Sequence, residues 1–276
     1  MRAAIAIFTF HYLPLRVYGI ERHVERLSKF LSEHGFKAII ITRGHPGVPS
    51  REAPRPGILI ARTPSLGLPS EDKGFRGIFC LLLYTLFAPL LALKLVKEER
   101  IILMHGNGSY YGGWQAALAA FLTRRSFTVT IHGYGVDYYR HHKRPPLTLR
   151  FLKMARAIIV QKESAIPILE RWGVPRGCIF YIEEGAVDTE WFKPAPTREG
   201  RKERYIVFVG RLIRFKDPVL LIEAAPLVLK RHPEARFVFA GDGYLEPAIR
   251  SRAKELGISD KVVLLGRVLD VRKVYW

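Results

Sequence analysis

Residues 205–243 read YIVFVGRLIRFKDPVLLIEAAPLVLKRHPEARFVFAGDG. The run 205–209 is apolar throughout and stops at Gly210, the pattern of a strand covered on both faces rather than one. After a short cationic loop, 219–232 is Leu-rich at helical length, and 235–240 is a second apolar run closed by Gly241, Asp242 and Gly243. Strand, helix and strand, with glycine at each strand's carboxyl end, predict a βαβ unit and therefore a parallel sheet. Residues 244–256 and 261–265 extend the alternation by one helix and one strand.

The same alternation runs through the N-terminal part. The apolar run 3–10 is followed by a glycine-bearing turn at Gly19 and a helix over 21–34, with Val24, Leu27 and Leu31 at helical spacing. Gly35 caps that helix and 38–41 gives the next strand. Further strands are expected at 101–104, 127–131, 157–160 and 178–182, with helices near 113–122 and 164–172 between them. Residues 193–204 (KPAPTREGRKER) are charged, Pro-bearing and aperiodic, as a linker is. The expected organisation is α/β: a Rossmann-like doubly wound domain over 1–193, a linker over 194–204, and a second, incomplete Rossmann-like domain over 205–276.

Composition narrows the functional classes. Hydrophobic residues make up 49% of the 276, which excludes a disordered chain. Two cysteines, Cys80 and Cys178, provide no disulfide framework and fit a reducing, cytoplasmic compartment. One Asn and two Gln beside many Arg resemble the avoidance of thermolabile residues in heat-adapted proteins, a bias that genome base composition also produces. A net charge of +19 attracts polyanions: nucleic acid, an anionic membrane surface or phosphorylated small substrates. Nucleic acid ranks last, because there is no helix-turn-helix, zinc or RNA-stacking motif. The stretch 139–156 (YRHHKRPPLTLRFLKMAR) is basic without an acidic residue, and 78–96 (IFCLLLYTLFAPLLALKLV) is apolar enough to span a bilayer. Strands on both sides of 78–96 belong to one sheet, so a buried or surface-docking helix is expected there. Together the two stretches suggest docking at the inner face of an anionic membrane, where basic and apolar anchors cooperate.

Open α/β sheets bind ligands beyond the carboxyl ends of their strands. Arg211 and Lys216 stand in such a loop, ahead of a helix start, and suit a diphosphate. On spacing alone they serve equally as ordinary loop cations. His132 follows a strand directly, at the edge where such a sheet binds ligands, and could hydrogen-bond a ligand there, although a lone edge histidine is commonly structural. His105 and Asn107 follow another strand end.

Several segments resemble the retaining, nucleotide-sugar-dependent glycosyltransferases of family 4, which have the GT-B fold of two Rossmann-like domains. Residues 205–243 are similar to the family's Val-Gly-Arg-Leu strand, lysine loop, Leu-rich helix and Gly-x-Gly. EEGAVDTEWFKP (183–194) resembles its interdomain crossing, with Glu184 where Asn is usual. RVYGIERHVERLSKFLSEHGF (16–36) resembles its first-loop motif, with Tyr18 in place of a Gly, and TVTIHGYGVDYY (128–139) its Thr-x-His-Gly-x-Asp region. The resemblance implies that Arg211 and Lys216 grip the donor diphosphate. It places Gly19, Gly241 and Gly243 beside the donor and Arg267 and Val268 near its base. His132 and Asp137 become the catalytic, acceptor-side candidates, and the basic and apolar stretches, lying in the acceptor-binding domain, suggest a lipid or lipid-linked glycan as acceptor. It implies no metal and no cofactor besides the nucleotide-sugar substrate. The family's paired-glutamate segment would fall beyond Trp276, so the expectation is a C-terminally truncated product or a split enzyme completed by another chain, or else a self-associating remnant, with residues 205–209 left as an open sheet edge. A non-catalytic subunit that binds nucleotide sugar or membrane is the alternative.

Overall fold

The computed structural model describes residues 2–13, 19–65, 74–133, 136, 141, 147–183, 187, 189–194, 204–268 and 270–275. The chain forms two compact units, Met1–Gly185 and Ala186–Trp276. Both are α/β with parallel-dominated sheets, as the alternation requires.

The first unit is built on an eight-stranded sheet. Its elements in chain order are β1 (Ala4–Phe8), α1 (Gly19–Glu33), β2 (Lys37–Thr42), β3 (Arg51–Arg55), β4 (Ile58–Arg62), α2 (Gly74–Glu98), β5 (Ile101–Asn107), α3 (Trp114–Thr123), β6 (Ser126–Ile131), β7 (Ala157–Val160), α4 (Ala165–Arg171) and β8 (Ile179–Tyr181). The strand order is β3-β4-β2-β1-β5-β6-β7-β8, all parallel except β3 against β4. The alternating pleat feeds two cores. Ala4, Ala6 and Phe8 face the layer containing α2 and α3. Ile7 faces the other side, with Val24 of α1, Ala38 and Ile40.

Neither strand of the β3–β4 hairpin is among the expected elements; β4 (ILIAR) is an apolar, wholly buried run that carries a readable strand signal, whereas β3 carries none. Residues 51–55 read REAPR and are mostly exposed, because β3 is an edge strand whose outer side needs no apolar cover and tolerates Pro54. Its turn uses Gly57 at φ 77°. Buried Arg62 fastens β4, donating to Glu52 Oε2 at 3.0 Å and to the Leu13 carbonyl at 3.0 Å.

Helix α2 is long and apolar enough to cross a membrane by length and composition. One side of it is nevertheless part of the core. Tyr84, Ala88, Ala92 and Leu95 are buried against the sheet, and the Tyr84 hydroxyl donates to the Ile41 carbonyl at 3.1 Å. Burying a side chain of that size contributes roughly 1.5–3 kcal/mol, so the helix is held as a structural layer of this unit.

The second unit has three parallel strands, β9 (Tyr205–Val209), β10 (Arg236–Ala240) and β11 (Val262–Gly266), in the order β11-β10-β9. Helices α5 (Pro218–Leu229) and α6 (Glu246–Glu255) cover them, and α7 (Arg272–Tyr275) follows. Phe237, Phe239, Ile222 and Ile249 form the small core. Among the described residues, β9 pairs with β10 on one side and with no strand on the other.

Candidate functional site

In the first unit the chain turns from β1 toward β2 on one side, and later places β5 on β1's other side. This reversal of strand order makes the carboxyl ends of β1 and β5 the place where an open sheet leaves a crevice. The β5 end is shaped by GNGSYYGG (106–113), which forms a turn of π-helix over Ser109–Gly113 before α3. A Cβ on Gly112 would overlap the Phe8 carbonyl oxygen, so the turn lies flat on the end of β1. Gly108 ties it to the next strand, its N–H donating to the Thr130 carbonyl at 2.8 Å.

The side chains at the ends of β5, β6 and β7 meet. His132, directly after β6, has Nδ1 2.9 Å from Gln161 Oε1 and Nε2 2.7 Å from Asn107 Oδ1. Burial, and secondly the charge of nearby His23, push the His132 pKa down to about 4, so the ring is neutral at pH 7. A neutral imidazole donates from one nitrogen and accepts at the other. Asn107 Nδ2 is buried without a partner as its amide stands. Turning that amide, whose oxygen and nitrogen ends have the same shape, lets Nδ2 donate to His132 Nε2 while Nδ1–H donates to Gln161. That assignment satisfies the histidine and fixes its tautomer. Neither ring nitrogen is then spare, and a ligand reaches Nε2 by displacing Asn107.

His23 of α1 packs edge-on to His132, with ring centroids 4.8 Å apart. His105 lies within β5, not beyond it, because the strand runs to Asn107. It is buried, with Nδ1 2.9 Å from Thr128 Oγ1 and Nε2 3.3 Å from Thr130 Oγ1. Hydroxyls donate or accept, so a neutral His105 is satisfied as a core residue. Its pKa is pushed down to about 3, first by burial and then by His23 and His132.

These two histidines predict acid sensitivity. The unfolded chain binds a proton at each near its ordinary pKa of 6.5, and the folded chain does so only near 4 or 3. Stability therefore falls as pH drops below about 6.5, by at most about 1.4 kcal/mol per pH unit for each histidine. Melting temperature measured from pH 7 to pH 4 should fall, and His105→Gln should flatten the slope. An unchanged slope would mean that other groups control the acid transition.

In the second unit, Arg211, Lys216, Gly241, Gly243, Arg267 and Val268 all lie just beyond the carboxyl ends of β9, β10 and β11, one edge of one small sheet. The two glycine loops are interlocked. Gly210 N–H donates to the Ala240 carbonyl at 3.0 Å, Leu212 N–H to the Asp242 carbonyl at 2.8 Å, and Leu245 N–H to the Leu212 carbonyl at 3.0 Å. Cβ atoms on Gly241 and Gly243 would overlap the carbonyl oxygens of Gly210 and Leu212. Buried Leu212 anchors the loop, while Arg211 and Lys216 are exposed on it. Gly241 N–H donates to the Gly266 carbonyl at 2.8 Å, which brings Arg267 to the same edge. Arg267 is exposed there and Val268 is half-buried.

Gly19 begins α1 with open space around the position of a Cβ, so packing does not require glycine there. Asp137 and most of the basic stretch 139–146 lie outside the described residues. Sequence reasoning missed Gln161, His23 and the turn 106–113. Gln161 follows β7 as His132 follows β6, a parallel that becomes a signal once adjacent strands are known. Arg43, directly after β2, is also buried at this edge, with its guanidinium 4.8 Å from the Phe10 ring centroid. Among the described residues no group of three or more His, Cys, Asp or Glu is placed to hold a metal ion.

Comparison with known proteins covers both units. Residues 17–191 match the family model described as Glycosyltransferase Family 4, and 189–275 that described as Glycosyl transferases group 1. The chain is 27% identical over 256 residues to a phosphatidylinositol N-acetylglucosaminyltransferase subunit of Arabidopsis thaliana, covering 91% of this chain and 55% of that protein. It is 26% identical over 263 residues to the Homo sapiens protein of the same name, covering 93% and 52%. It thus spans about half the length of these curated relatives. Among solved structures, sucrose-phosphate synthase from Thermosynechococcus elongatus superposes with TM-score 0.70 at 19% identity, over 99% of this chain and 72% of that one. Anabaena HepE in complex with UDP and glucose superposes with TM-score 0.65 at 14% identity, over 99% and 72%. At those identities the likeness establishes the fold, GT-B.

Proposed function

The chain belongs to glycosyltransferase family 4, and on that premise we propose that it transfers a sugar, with retention at the anomeric carbon, from a nucleoside diphosphate to a hydroxyl of a lipid or lipid-linked glycan. The observation that carries this reading is the single sheet edge in the second unit where exposed Arg211 and Lys216 stand on a loop braced by Gly241 and Gly243. Two cations and the start of α5 suit the two phosphates of the donor. In the transfer, the bond from the acceptor oxygen to the anomeric carbon forms and the bond from that carbon to the β-phosphate oxygen breaks. The diphosphate departs with the electron pair, and the acceptor proton passes to it. The charge that develops is on the leaving group, so fixed cations lower the barrier without a metal ion. Arg267 and Val268 are assigned to the base and Gly19 to close approach by the donor. The neutral His132, held through Nδ1 by Gln161, is assigned to orient the acceptor hydroxyl through Nε2 once that hydroxyl displaces Asn107, and Asp137 is assigned to the same acceptor.

The relatives' names support a lipid acceptor and a second polypeptide, since they describe one subunit of a phosphatidylinositol N-acetylglucosaminyltransferase. Titration with nucleosides, nucleoside monophosphates, diphosphates and nucleotide sugars tests the donor half. The melting temperature should rise with the diphosphate-bearing ligands and not with the nucleosides. Equal responses to nucleoside and diphosphate, or no response, would overturn the assignment of the cation loop.

A further inference from the structure

The helical layer over one face of the first unit's sheet is apolar on its outside as well as its inside. On α2, Ile78, Leu82, Leu86 and Leu90 succeed one another every turn and are 48% to 61% exposed. They make a stripe roughly 18 Å long that continues into exposed Lys94 and Lys97. Helix α3 packs beside α2 and leaves Phe121 70% exposed. Met154, at the end of a 3-10 segment packed on α3, is 65% exposed. A contiguous apolar stripe of this kind on a surface marks an interaction site.

Next to Phe121 and Met154 is a basin of about 690 Å³ whose wall carries Arg124, Arg125 and Arg156. None of these three arginines is ion-paired with a described residue. Arg124 caps α3 in the left-handed region, at φ 54°, where glycine is the usual residue. That φ is a backbone matter of the cap; what marks the basin is the three arginines brought together on its wall. Over residues 74–160 the sequence has twelve Lys or Arg against three Asp or Glu, and two of those acids, Glu98 and Glu99, are ion-paired to Arg51 and Lys37.

We propose that this layer docks the protein on an anionic phospholipid surface, with the outer stripe of α2 entering the headgroup–acyl boundary and the arginine basin holding a lipid phosphate. A second copy of the chain would cover the stripe but set arginine against arginine. An apolar helix face running into Lys94 and Lys97, in a layer that also carries three arginines with no ion-pair partner among the described residues, matches a bilayer, which supplies acyl chains and phosphates together. The inference gives the lipid-acceptor reading a physical surface, and its geometry does not depend on the donor site.

The test is co-sedimentation of the full chain with vesicles of phosphatidylcholine alone or mixed with phosphatidylglycerol, at low and high salt. Two double variants are compared, Leu82→Glu with Leu86→Glu, and Arg124→Glu with Arg125→Glu. The expected result is salt-sensitive binding to the mixed vesicles that each double variant weakens at least about tenfold. The melting temperature and the response to nucleoside diphosphate should stay as in wild type. Absence of binding at low salt, or unchanged binding by the variants, overturns the proposal. So does sedimentation velocity showing that the stripe pairs two copies, or a basin that takes inorganic phosphate while vesicles stay unbound. A retained nucleotide response with no vesicle binding leaves the donor reading standing, and vesicle binding with no nucleotide response does the reverse.

Discussion

Replacing Arg211 by Ala abolishes most of the rise in melting temperature that a nucleoside diphosphate gives the chain, and weakens binding about 10- to 100-fold. The magnitude is that of one charge-assisted hydrogen bond to phosphate, about 1.5–3 kcal/mol, with the lower part of the range expected because Arg211 is exposed. The unliganded protein should melt within about 2 °C of wild type, since an exposed loop side chain contributes little to folding. Lys216→Ala acts in the same direction with a smaller effect, because an ammonium offers a point charge rather than a fork. Calorimetric titration with uridine, guanosine and adenosine diphosphates measures both. Unchanged affinity in Arg211→Ala would place the diphosphate somewhere other than the β9 loop.

The largest effect on stability is expected at Gly241→Ala. The added Cβ would overlap the carbonyl oxygen of Gly210, and that peptide cannot easily move. It is held by the hydrogen bonds from Gly210 N–H to Ala240 and from Leu212 N–H to Asp242. Breaking this interlock in a unit with so small a core should cost more than about 3 kcal/mol, a large part of the stability of a domain that size. Hydrogen exchange should then show lost protection in β9, β10 and β11. Gly19→Ala is the comparison, because nothing lies within 4 Å of its Cβ position. That variant should fold normally, and any loss of ligand affinity in it reports a ligand's approach rather than packing. A Gly241→Ala protein that melts like wild type would show that the two glycine loops are free to separate.

Much of the architecture is written in local patterns. The apolar runs at 3–10, 157–160 and 205–209 all became strands, and the helical stretches between them made the sheets parallel. The expected cover on both faces fails at β9, which is half-buried with Tyr205 exposed, because it stands at the edge of a three-stranded sheet among the described residues. The motifs around Arg211 and His132 stood at strand ends for the same reason, and the family followed from their order. Strand β3 escaped because an exposed edge needs no apolar residues, so REAPR carries no period to read.

What the sequence could not give is adjacency. His132 is 25 residues from Asn107 and 29 from Gln161, and they touch because β5, β6 and β7 lie side by side. Nor could it orient α2. The segment is apolar all round, so its period selects no inner face. Packing made the choice. Ala88 and Ala92 let the helix approach the sheet closely, with Tyr84 reaching the Ile41 carbonyl between them and the strands. Leu82, Leu86 and Leu90 were left outside. Composition along the chain therefore determined which segments are strands and which are helices. The choice of contacting faces came from tertiary structure alone, because it depends on shape complementarity between segments far apart in sequence.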